Sequence, residues 1–154
     1  MVTVKPKTFV TMKLAGKGVT HARTDVSVRD LTLTIDEPAE RGGTNKGPSP
    51  TETLISALVA CTNVVSNRIA EHMGLEVRDM TIDAAADFDR RGVMLQEAVR
   101  VPFPKIDLTI NTKIKGSDEQ IEKLKEDLAK FCPLSMVIRQ SGTEINEIWN
   151  IERL

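Results

Sequence analysis

Grouped strands, one long apolar helix and a pair of helices near the end predict an α+β fold with an antiparallel sheet for this 154-residue chain. The order read along it is three strands, a long helix, two strands, two helices and a last strand, with few strict strand–helix–strand units. A chain of this length is expected to form one domain, 1–154, and to bury roughly 70% of its unfolded surface.

Each element has its own local signal. Residues 8–14 (TFVTMKL) alternate apolar and polar side chains and read as a strand, with Gly16-Lys17-Gly18 as the turn after it. Residues 19–25 are a candidate second strand. Residues 30–36 alternate Leu31, Leu33 and Ile35 against Thr32, Thr34 and Asp36 and predict a half-buried third. A Gly- and Pro-rich loop, 37–50, follows. Its Gly43-Thr44-Asn45-Lys46-Gly47 invites a phosphate-cradle reading but lacks the Gly-Lys-Ser/Thr of a P-loop.

A helix is predicted from about 50 to 73. Ser49 caps it, Pro50 takes the first helical position and Glu52 completes a capping box, while Gly74 ends it. Its first half, LISALVAC, is apolar on nearly every side, and beyond Asn63 it becomes amphipathic with Arg68, Glu71 and His72 outward. One small sheet covers only one side of such a helix, so a dimer that packs two of them together is expected.

Residues 76–87 and 105–114 read as strands, separated by a turn at Arg90-Arg91-Gly92 with extended chain after it; no role is assigned to 88–104. Ser117-Asp118-Glu119-Gln120 is a second capping box, opening a helix whose face is Ile121, Leu124, Leu128 and Phe131. Cys132-Pro133 interrupts, a short helix spans 133–140, Gly142 stops it, and 143–152 form the closing strand with Ile145, Ile148 and Trp149 apolar.

Composition narrows the function. The chain is 40% apolar and 28% charged with net charge −1, which provides no basic field for nucleic acid or an anionic membrane. Four Phe, one Trp and no Tyr leave little for stacking on bases. No secretory signal and no apolar run long enough to span a bilayer are read, so a cytoplasmic protein is expected. Its two cysteines, 71 positions apart, make no disulfide scaffold.

Those cysteines are the candidates for chemistry. Cys61 falls on the stripe Leu54, Leu58, Cys61, Val65, and from that helix alone it reads as a small buried hydrophobe. Cys132 stands at the start of a new helix, where unpaired N–H groups and the helix dipole favour a thiolate; the alternative is a cap position that happens to hold Cys. Histidines 21 and 72 pair with no other ligand at a usual spacing, so no metal site and no cofactor are expected. Nothing in the sequence supports a Cys-His pair with His21. Glu52 is explained by its cap, and Arg23 lies in a strand where an Arg is either surface or turned inward.

Pro50-Thr51-Glu52-Thr53-Leu54-Ile55-Ser56-Ala57-Leu58-Val59-Ala60-Cys61-Thr62 resembles the P-x-E-L-L-x-A-L-x-A-C-T signature of the OsmC/Ohr superfamily, the osmotically inducible and organic hydroperoxide resistance proteins. Cys132-Pro133-Leu134-Ser135 resembles its second signature, C-P-[VLY]-S, and the element order matches over nearly the whole chain. Thr51 stands where the hydroperoxide-resistance branch has Glu, which favours the broader OsmC-like branch. The resemblance implies an intertwined homodimer with long central helices between antiparallel sheets. It further implies a thiol peroxidase in which Cys61 attacks a hydroperoxide, Cys132 resolves the sulfenic acid as a disulfide and a dithiol reductant reopens it. Arg23, with Arg29 as the fallback, would offset the cost of a buried thiolate, held by Glu52. The competing readings are a non-catalytic redox sensor or small-molecule binder of the same fold, and a Cys-dependent hydrolase.

Overall fold

The computed structural model describes residues 8–154; residues 1–7, part of the stretch read as lacking a secretory signal, lie outside it. The chain forms two compact units, one ending at Thr53 and the other running from Leu54 to Leu154.

In the first unit, β1 (Ala15–Gly18), β2 (Thr24–Val28) and β3 (Leu31–Ile35) make an antiparallel meander in sequence order. The third strand forms where its alternation placed it. The first two do not. Residues 8–14 form no strand and leave Phe9, Val10, Met12 and Leu14 exposed; their alternation finds no partner face among the described residues, and the expected turn Gly16–Gly18 is itself in β1. The second strand begins only at Thr24, because the Thr20 hydroxyl accepts the N–H groups of Ala22 and Arg23 (3.2 and 2.9 Å) and holds that stretch as a turn.

The loop after β3 is organised by a carboxylate. Asp36 is fully buried and accepts the Thr44 hydroxyl at 2.6 Å and the N–H groups of Thr44 (3.1 Å) and Lys46 (3.0 Å). The cradle suggested by residues 43–47 therefore encloses the chain's own anion. A side chain at Gly43 would place Cβ 1.7 Å from the Glu37 carbonyl oxygen, so only glycine fits that approach.

Helix α1 (Pro50–Met73) matches its expected bounds. The Ser49 N–H donates to Glu52 Oε2 at 2.7 Å and the Glu52 N–H to Ser49 Oγ at 3.3 Å, the reciprocal capping box. Gly74, at φ +69°, turns the chain out of the helix. Leu58, Thr62, Val65, Ser66, Ile69 and Ala70 are buried, but Ala57, Ala60 and Val64 are exposed, so the second unit covers its part of the helix on one side only. By length and composition alone α1 could cross a bilayer, its most apolar stretch reaching a mean hydropathy of 1.3. The central helix of a folded domain meets the same measure.

In the second unit β4 (Glu76–Ala86), β5 (Lys105–Lys115) and β6 (Glu144–Arg153) form a sheet in the order β4-β5-β6. β4 and β5 are antiparallel, with a bulge between Arg78 and Thr81. β5 and β6 are parallel, a departure from the all-antiparallel expectation. A parallel neighbour needs a crossover connection, and α2 (Asp118–Phe131) with α3 (Pro133–Gln140) supplies it. The central strand buries Ile106, Leu108, Ile110, Thr112 and Ile114 in strict alternation.

Ser117 and Gln120 form the second capping box (2.9 and 3.2 Å), and Ile121, Leu124 and Leu128 are buried as expected. Phe131 is not: it is 64% exposed at the end of α2. On β6 the inward face carries Ile145, Glu147 and Trp149, which leaves Ile148 exposed on the other. Residues 88–104 turn at Arg90–Gly92 and then form a closed-necked loop with no strand. Phe88 and Phe103 stack at 5.0 Å, and Arg91 pairs with Asp89 and Glu97, holding the pKa of Asp89 down to about 2.

Candidate functional site

The second unit brings the two thiols together. Cys61, half-buried on α1, packs against the cluster of buried side chains that contains Cys132. Cys132 closes α2, its N–H donating to the Leu128 carbonyl at 3.0 Å, and begins α3, its carbonyl accepting from Met136 at 3.0 Å. Pro133 at the first helical position forces this break between the helices. Both cysteines are free thiols.

The electrostatics at Cys132 run against the reading of a helix start that stabilises a thiolate. Burial pushes its pKa up, and this outweighs the nearby N–H groups of Ser135 and Leu134, which pull it down. Neither N–H makes a full capping hydrogen bond to the sulfur. The adjacent Cys61 raises it further, since a charge on one sulfur disfavours a second beside it. Arg139 braces this helix start: Nε donates to Ser135 Oγ (3.2 Å), one terminal nitrogen donates to the Ile145 carbonyl (2.8 Å) and the other pairs with Glu147 (3.1 Å).

Cys61 opens on a cleft of about 990 Å³ between α1 and α2. Cys61, Val65, Arg68 and His72 recur along α1 at i, i+4, i+7 and i+11 and so share a face. Val64, Ile69 and Phe131 make its wall apolar, and Lys123 with Asp127, paired at 2.5 Å, stand on the α2 side. The cleft itself is not read from the sequence: Arg68 and His72 are exposed, as expected, whereas Phe131, expected in the core, is exposed as well. The helical stripe running C-terminal from Cys61 is the signal that would have found them.

The other two expected site residues lie in the first unit. Arg23 precedes β2 and is bidentate to Asp25 (3.1 and 3.0 Å), which also accepts the Thr34 hydroxyl; the Asp25 pKa is lowered, chiefly by Arg23. Glu52 stands in the first turn of α1, its pKa lowered by the Ser49 N–H, then by the Ser49 hydroxyl, with the charge of Arg41 a smaller contribution. Arg29, the fallback, is an exposed residue of the β2–β3 turn at φ +55°. Among the described residues no group of three His, Cys, Asp or Glu could hold a metal ion.

Residues 43–147 match the family model described as OsmC-like protein. Organic hydroperoxide resistance protein-like 1 of Staphylococcus saprophyticus is 23% identical over 121 residues, 77% of this chain and 79% of that protein. Of the solved structures, an OsmC-like protein from Mycoplasma pneumoniae is similar with a TM-score of 0.76 at 16% identity, over 92% of this chain and 97% of the other. An organic hydroperoxide resistance protein OsmC from Legionella pneumophila gives 0.62 at 17% identity, over 95% and 99%. At these identities the structural likeness establishes the fold, α+β with two small sheets and three helices. The matched family residues span well over half the sequence, and the chain belongs to the OsmC-like protein family.

Proposed function

We propose that this chain is a thiol-dependent peroxidase that reduces organic hydroperoxides, with 1–154 acting as one functional domain. The observation that carries the reading is Cys61 beside Cys132 at the head of an apolar cleft. The Cys61 thiolate attacks the distal oxygen of a hydroperoxide; the O–O bond breaks, the alkoxide leaves and takes a proton to become the alcohol, and Cys61 becomes a sulfenic acid. Cys132 attacks that sulfur, water leaves and a Cys61–Cys132 disulfide forms; a dithiol reductant restores both thiols and is itself oxidised. We assign to Arg23, held by Glu52, the role of offsetting the thiolate charge, after the family pattern. The hydroperoxide-resistance name of the Staphylococcus relative supports a redox role. A homodimer working in the reducing cytoplasm fits the exposed apolar side of α1.

The test is a count of free thiols before and after a stoichiometric pulse of an organic hydroperoxide, for the parent and for Cys61→Ser. The parent is expected to lose two thiols per chain quickly and Cys61→Ser to react far more slowly. Equal rates would overturn the assignment. The size of the cleft favours one second reading, a small-molecule binder or sensor of the same fold; fast single oxidation without turnover under any dithiol would select it.

A further inference from the structure

The inward face of β6 carries an acid among apolar side chains. Glu147 lies between Ile145 and Trp149 in the alternation of the strand, and its side chain is only 13% exposed. A carboxylate there is costly unless it is paired, and one arginine of α3 supplies the pairing. Arg139 spreads its fork over three groups at once: Glu147 (3.1 Å), the Ile145 carbonyl (2.8 Å) and the Ser135 hydroxyl (3.2 Å). The first two belong to β6 and the third to the first turn of α3. The fork therefore ties the start of α3 to the strand.

That tie sets the surroundings of Cys132. Pro133 brings no N–H, and the Met136 N–H donates to the Cys132 carbonyl at 3.0 Å. The helix start is left with the N–H groups of Leu134 and Ser135, and both favour charge on the Cys132 sulfur. Cys132 is 0% and Ser135 3% exposed, so bulk water does not stand in for these donors. The charge of Arg139 is balanced by Glu147, which leaves geometry as what the arginine contributes.

We infer that Arg139, through Ser135 and Glu147, is a positioning residue for the resolving thiol: it holds the first turn of α3 so that the Cys132 sulfur meets both its helix N–H donors and Cys61. Its use in turnover rests on the peroxidase reading. The holding of Cys132 does not, because the Cys61–Cys132 disulfide can be closed without a peroxide.

The test closes it with a nitrobenzoate disulfide, whose released thiolate is coloured. The Cys61 thiolate attacks one sulfur of the probe and one nitrothiobenzoate leaves. The Cys132 thiolate then attacks the Cys61 sulfur of the mixed disulfide, that S–S bond breaks and a second nitrothiobenzoate leaves. In Arg139→Gln/Glu147→Gln, which removes both charges together, the second release is expected to slow about fivefold at fixed pH, the scale of one hydrogen bond, with the first unchanged. Ser135→Ala, which cuts only the link, is expected to slow the second release alike, and the triple variant to be no slower. Arg139→Lys keeps a charge for Glu147 but has no planar fork. It is expected to hold the urea midpoint of the parent and still to close slowly. A second release at the parent's rate in both Ser135→Ala and the double variant, or equal slowing of both releases, overturns the inference. Closure at the parent's rate in Arg139→Lys would make the role one of charge and overturns it as well. With an organic hydroperoxide in place of the probe, the same variants are expected to form the sulfenic acid at the parent's rate and to close slowly. Should no hydroperoxide oxidise Cys61, the peroxidase reading falls, and the two releases from the probe still decide the role of Arg139.

Discussion

Cys61 and Cys132 sit side by side although they are 71 positions apart and belong to different helices. Their surroundings differ: one is half-buried at a cleft, the other fully buried with its pKa pushed up by burial. That division suits an attacking thiol and a resolving thiol. The resolving step needs a thiolate at Cys132, and the upward shift keeps the group a thiol at neutral pH. Oxidation of Cys61 removes the neighbouring charge, but burial, the larger cause, stays. Disulfide closure is therefore expected to keep accelerating as pH rises through 9, the ordinary thiol value. In Cys132→Ser the Cys61 sulfenic acid is expected to persist and to be captured by a dimedone probe. Stopped-flow fluorescence of Trp149 and mass spectrometry check the two expectations; closure that levels off below pH 8 would contradict the first.

How much of this was legible beforehand follows from what each signal depends on. Both capping boxes, Ser49–Glu52 and Ser117–Gln120, and the break at Cys132-Pro133 were readable because they are contained within a few residues. So was the alternation of β5, whose partners lie on both sides. Residues 8–14 misled because alternation predicts a strand only where a neighbouring strand receives it. Nothing local encodes whether β6 runs parallel or antiparallel to β5; that is fixed by α2 and α3 crossing over. The site divided in the same way. Motifs bring both cysteines forward as candidates, whereas the cleft needs α1 and α2 set side by side, and the spacing of Phe131 fits the buried face although the residue is exposed.

Asp36 anchors the loop that leads into α1, and its pKa is lowered chiefly by the Thr44 hydroxyl, with the N–H groups of Lys46 and Thr44 adding to this. A carboxylate whose folded pKa is depressed contributes stability that is complete above its unfolded value, near 3.9, and is lost as pH falls through the folded value. Stability is thus expected to fall below about pH 4. Asp36→Asn should lose stability at pH 7 and show a shallower decline on acidification than the parent, measured by urea unfolding at several pH values. Parallel pH curves for the two would show that Asp36 does not contribute in this way.

Two glycines should respond very differently to alanine. At Gly74 an added Cβ meets nothing within 4 Å, and only the left-handed backbone at φ +69° opposes it. A cost of about 1 kcal/mol is expected from that conformation. At Gly43 the Cβ would stand 1.7 Å from the Glu37 carbonyl oxygen, a backbone atom that cannot swing aside. Gly43→Ala is expected to cost about 3 kcal/mol or more, the upper end for forced overpacking. Denaturant midpoints for both variants check the order, and a Gly43→Ala cost below that of Gly74→Ala would mean the loop relaxes around the new methyl group.

The exposed stripe Ala57, Ala60 and Val64 follows helical spacing on α1 and is the side that the second unit leaves uncovered. Small residues at i, i+3 and i+7 let a second helix approach closely, and burying them recovers about 25 cal/mol for each Å² of apolar surface removed from water. Asn63 and Asn67 lie on the same exposed side, with the Asn67 side chain bonded back to the Asn63 carbonyl at 2.9 Å. Their polar groups are thus partly satisfied within the helix before any partner arrives. The parent is expected to elute as a dimer in size-exclusion chromatography with light scattering. Ala60→Arg places a long charged side chain in the middle of the stripe and is expected to raise the dimer dissociation constant at least about tenfold, the effect of roughly 1.4 kcal/mol. Because Ala60 is exposed in the single chain, the same substitution should leave the far-ultraviolet circular dichroism of the monomer intact. A parent that remains monomeric at high concentration would remove the dimer proposed for this helix, and an Ala60→Arg dimer of undiminished affinity would move the interface to another face.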